Sequence, residues 1–115
     1  MSEGLRVRIL DLSGGAEDNI TEEIRGFLGI EHANLFARRY VRDSVERCRA
    51  QGMTPQAILD AWFAYGEDAE VLDGGDAAWK SATELHDFAA RRAPMADRDW
   101  RTIDPRLQIP DEDEA

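Results

Sequence analysis

The chain is poor in the residues that usually announce chemistry. Its one cysteine, Cys48, cannot build an internal disulfide framework, so nothing points to an oxidising compartment. Its two histidines, His32 and His86, stand far apart in sequence, which leaves metal sites and acid–base pairs without their commonest ligand. Lys80 is the single lysine, so every other basic side chain is an arginine. No stretch approaches the roughly 20 apolar residues of a membrane span. Met1 to Arg8 carries no apolar run of signal-peptide length. The expectation is a cytoplasmic protein that does not enter membranes. No repeat and no linker divides the chain. It reads as one domain over residues 1–110, followed by a disordered acidic tail at 111–115.

What the chain has is negative charge. Its 24 acidic residues against 14 basic ones leave a net charge of −10, which argues against a generic nucleic-acid or anionic-membrane binder. The acidity fits a solvated surface, in a salt-rich cytoplasm for example. It also fits a surface for a basic partner, mimicry of nucleic acid included. With 43% hydrophobic residues, the 115-residue chain can build one packed core.

The apolar pattern predicts a mainly α fold, a compact bundle of about four helices with a short N-terminal strand. Leu5, Val7 and Ile9 alternate with Arg6 and Arg8 in the period of a strand. That strand needs a partner for its backbone groups. The extended segment Arg106 to Ile109, a second copy of the chain or another protein could supply one, and the first needs no association. Asn19 with Glu22 resembles a capping box, and Ile20, Ile24, Phe27 and Leu28 make a helical stripe. A second helix runs from about Glu31 to Gln51 and stops at Gly52. Thr54-Pro55 opens a third, with Ile58, Leu59, Trp62, Phe63 and Tyr65 as its apolar face. Asp76 caps a fourth, lined by Trp79, Ala82, Leu85, His86 and Ala89 and ended by Ala93-Pro94. Trp62 and Phe63 are expected in the centre of the core.

Three features carry functional readings. The first is an arginine row: Arg38, Arg42 and Arg49 share a helix face, with Leu35 as an apolar residue among them, a combination that suits a partner interface. The competing reading is internal pairing, with Arg42 and Glu46 at i,i+4 and acidic helices alongside. The acidic alternative to the row is Asp60, Glu67, Asp68 and Glu70. The second feature spans residues 45–66, where Cys48, Gly52, Met53 and Ile58 fall at helix-turn-helix spacing. The would-be recognition helix has no basic residue and leads into acidic ones, which phosphate would repel. The third is a pocket near Trp62, Trp79 and His86 that could hold a small ligand or a reaction.

Metal and catalytic motifs fall short. The acidic run Asp68 to Asp76 fails the calcium-loop pattern, because Leu72 stands where an oxygen ligand belongs and Asp73 replaces the turn glycine. Asp11 to Gly15 lacks the lysine and length of a phosphate loop, Ser13 has no base nearby in sequence, and Cys48 faces the expected core. No cofactor or metal is expected. The leading reading is a small non-enzymatic protein, an adaptor, regulator or inhibitor, that binds another macromolecule. Another protein is the expected partner, a homodimer stays open, and DNA is the runner-up.

Overall fold

A computed structural model describes residues 5–14 and 20–107. Three strands, β1 (Arg6–Asp11), β2 (Ile20–Ile24) and β3 (Glu67–Leu72), form an antiparallel sheet in the order β2-β1-β3. Four helices accompany it: α1 (Ile30–Cys48), α2 (Pro55–Tyr65), α3 (Leu85–Ala90) and the single turn α4 (Met95–Arg98). The expected helical bundle is therefore corrected to helices packed on a three-stranded sheet.

β3 alternates as β1 does, with Ala69 and Val71 buried, and β2 adds the buried Ile24 to the same face. Val7 lies opposite Ile24 on one side and Val71 on the other, and Ile9 opposite Ala69. All five are buried. Against this face α1 sets Ala33, Phe36, Ala37, Val41 and Val45, and α2 with Ile58, Leu59 and Trp62 and α3 with Leu85, Phe88 and Ala89 pack on α1 and on each other to complete one core. On the opposite face Arg8 stands between Glu23 and Glu70, and Arg6 reaches Glu23 and Asp73. These cross-strand charge pairs let that face meet water. Two amides of edge strand β3 bond to side chains, Glu67 N–H to Ser44 Oγ and Ala69 N–H to Asp68 Oδ1, which blunts the edge.

Several expectations change for identifiable reasons. Ile20 and Ile24 belong to β2, not to a first helix, and they do not share a face: Ile24 is buried opposite Val7, whereas Ile20, beyond a register shift in the pairing, lies opposite Leu10 and is 44% exposed. Asn19, the expected cap, lies outside the described residues. The N-terminal strand pairs with β2 and β3, while Pro105–Leu107 forms a 3-10 turn. The expected fourth helix is broken into 3-10 turns at Gly75–Ala77 and Ser81–Thr83 and the six-residue α3, on which His86 is exposed. The second and third helices form close to where they were expected. Thr54 Oγ1 accepts from Ala57 N–H and Pro55 opens α2, and Gly52 turns the chain with φ 83°. Trp62 is buried, but Phe63 is 57% and Tyr65 76% exposed, because the core meets only one stripe of α2. Residues 111–115, the expected tail, lie outside the described residues. No described helix is long and apolar enough to cross a membrane.

Candidate functional site

The arginine row is a seam between α1 and the segment around α3. Arg49 makes a bidentate pair with Glu46 at 2.8–2.9 Å, and donates to the carbonyls of Phe88, Ala89 and Arg91 at the end of α3. Arg42 is 6% exposed, lies over the Phe88 ring at 4.6 Å and donates to the Arg91 carbonyl, while its Nε has no acceptor among the described residues. Arg38 forks onto Glu84 at 2.8–3.0 Å, and the Trp79 indole donates to the same carboxylate. These Arg38 bonds hold the Glu84 carboxyl below its ordinary range, against the opposing effect of burial. Guanidinium groups suit the carbonyl-rich, partially negative end of a helix. The internal pairing expected for Arg42 and Glu46 is made instead by Arg49 and Glu46. Leu35 remains on the surface at 39% exposure.

A different arrangement stands where α1 and α2 both end. A glycine must follow α2 at position 66: a Cβ there would run into the Trp62 indole and lie 2.8 Å from the Trp62 carbonyl oxygen. Leu12 N–H donates to the Gly66 carbonyl at 2.9 Å, and Glu67 N–H to Ser44 Oγ, so the turn from α2 into β3 is tied to the residue that follows β1 and to α1. The result is a cleft of about 390 Å³ lined by Ser44, Arg47 and Cys48 from α1, Ala61 and Tyr65 from α2, Gly66, Asp11 from β1 and Glu67 from β3.

Its chemistry is dominated by acceptors. Hydrogen bonds from the Ser13 hydroxyl and amide hold the Asp11 carboxyl below its ordinary range, so it is anionic near neutral pH. Glu67 Oε1 accepts from the Tyr40 hydroxyl at 2.6 Å. Burial, with that carboxylate beside it, pushes the Tyr40 phenol well up, and burial pushes up the Cys48 thiol, which keeps it from being a ready nucleophile. Arg47 is the one cation among the lining residues. It is 54% exposed at its side chain and loosely held, 3.5 Å from Asp43 and 3.9 Å from Glu67.

The remaining expected residues scatter. Asp60 is exposed on α2 and accepts from Gln56, Glu70 lies on the charged sheet face near Arg8, and Glu67 belongs to the cleft. Burial pushes the Asp68 carboxyl up, and with Glu70, Leu10, Trp79, Lys80 and Ser81 it lines a second cavity of about 270 Å³. That cavity includes neither Trp62 nor His86, so the expected pocket of Trp62, Trp79 and His86 is not brought together there. His32 is a structural residue: Nδ1 accepts from Leu28 N–H and Nε2 donates to the Ile103 carbonyl. Among the described residues no group of three or more His, Cys, Asp or Glu side chains could hold a metal ion. Sequence reading missed the cleft because four elements build it. The local signal was modest: two helix ends, with the acidic Glu67 following the glycine that ends the second.

Compared with family models, with curated proteins and with solved structures, the chain has no match.

Proposed function

We propose that this chain acts by binding another protein, one with a basic surface, and that it is an adaptor, regulator or inhibitor rather than an enzyme. The observation that carries this reading is the fate of the α1 arginines. Arg42 and Arg49 point into the fold onto Glu46, the Phe88 ring and the carbonyls that end α3, and the partly exposed Arg38 forks onto Glu84. The charge that looked available for an acidic partner is engaged internally, and with 24 acidic residues against 14 basic ones the surface charge of the whole chain is negative on balance. Such a surface steers basic partners toward it and repels phosphate. The exposed aromatic rings of Phe63 and Tyr65 support an interface as well, since aromatic side chains are common anchors between proteins.

The helix-turn-helix alternative gains nothing from the geometry. The exposed part of α2 carries Gln56, Asp60 and Phe63 and no basic side chain. The test is selection from the host lysate on the immobilised protein at low salt, followed by elution with a salt gradient. A basic protein eluting as salt rises supports the reading. An acidic protein, or salt-sensitive retention of DNA, contradicts it.

A further inference from the structure

We propose that the cleft between the ends of α1 and α2 is the receptor for an arginine or lysine side chain of that basic partner. This rests on the reading above and adds where the partner's charge is received. Two helices, α1 and α2, present their C-terminal ends to one cleft of about 390 Å³. A helix carries a partial negative charge at its C-terminus, so both ends favour a cation. Asp11 and Glu67 add two carboxylates to the lining, and Tyr65, 76% exposed, offers an aromatic ring at the rim. A guanidinium or ammonium group is attracted to such a ring face as well as to the carboxylates.

The molecule shows this chemistry once within itself, and a weaker form of it in the cleft. At the end of α3 the Arg49 guanidinium bonds to three carbonyls and a carboxylate. In the cleft Arg47 stands beside Glu67 without a close hydrogen bond to it, at 3.9 Å. Arg47 is thus a weak internal occupant of a place that favours cations, and an incoming side chain competes with it. The competition fixes a sign. Removing Arg47 tightens a basic ligand here, whereas it would weaken any anion that used Arg47 as its anchor.

The probe is a fluorescent octapeptide of alternating arginine and leucine, titrated with the full chain at low salt. Its counterpart of alternating glutamate and leucine is run alongside. The arginine peptide is expected to bind, with an affinity that falls as salt screens the charges. Arg47→Ala is expected to tighten it about threefold, and Tyr65→Ala to weaken it about threefold, the scale of an exposed ion pair or cation–π contact. Arg92→Ala, an exposed arginine in the segment after α3, controls for the change in overall charge and is expected to move the affinity much less. Both tested side chains are largely exposed, so the variants keep the fold. Weaker binding on Arg47→Ala overturns the proposal. So does arginine-peptide binding that neither variant alters, which would leave the basic-partner reading standing with a different receiving site. Preference for the glutamate peptide overturns both.

Discussion

One helix, α1, meets its neighbours in two ways. Along the seam with α3, Arg42 and Arg49 are nearly enclosed, and their donors face carboxylates, carbonyls and the Phe88 ring. At its C-terminal cleft with α2, Arg47 is more than half exposed, and its two carboxylate neighbours lie at 3.5 and 3.9 Å. The same residue type on one helix and at its C-cap, Arg49, therefore does two jobs. A buried guanidinium needs acceptors for most of its donors, because leaving it or its partner unpaired is costly, and across Arg42 and Arg49 the only buried nitrogen lacking one among the described residues is Arg42 Nε. An exposed one at long range contributes little to folding. The seam holds the fold together, and the cleft keeps charge that a partner can use.

The comparison breaks first at the seam. Arg49→Ala leaves Glu46, whose side chain is 5% exposed, with only the Ala93 N–H as a donor among the described residues, and should cost about 3 kcal/mol in chemical denaturation, the lower end of the range for breaking a buried pair. A loss near that of a surface substitution would mean that the seam does not carry the fold. Next in size is Gly66→Ala. The added methyl meets the Trp62 indole, and the expected loss is about 1–3 kcal/mol, typical of overpacking. An unchanged melt would show that the wall of the cleft gives way easily.

A pH titration sharpens the seam further. Glu84 has its folded pKa below its ordinary value of 4.5, through its bonds with Arg38. Its contribution is present above that value and is lost as pH falls through the folded one. Because Arg38 is partly exposed, the contribution should be under about 1 kcal/mol. The melting temperature of Glu84→Gln should therefore fall less steeply than that of the parent chain on acidification below about pH 4.5. Parallel curves would remove the pair from the ledger of stabilising contacts. The smallest effect is expected at the cleft, where Arg47→Ala should change stability by less than about 0.5 kcal/mol. A larger loss would make Arg47 a structural residue like Arg49.

Parts of this molecule were legible in the sequence, where the signal was local. The Thr54-Pro55 start of α2, the stop near Gly52 and the burial of Trp62 all follow from neighbouring residues. Glu67–Leu72 was not expected to be a strand, since it stood out in the sequence only as an acidic run after the third helix. Its alternation of Ala69 and Val71 with Asp68 and Glu70 becomes meaningful beside β1. The shared face of Arg38, Arg42 and Arg49 was visible, but not what it meets. Glu84 and the carbonyls that end α3 lie some 40 residues further along the chain. The cleft was hidden for the same reason: Asp11, Ser44, Tyr65 and Glu67 come together only once the sheet has formed.

The division between seam and cleft is tested most directly by amide shift mapping of the isotope-labelled chain as the arginine–leucine peptide is added. Shifts clustered at Ser44, Cys48, Tyr65 and Gly66 are expected. Shifts clustered instead at Leu35, Arg38 and Arg42 would contradict it and make the arginine seam the face that meets the partner.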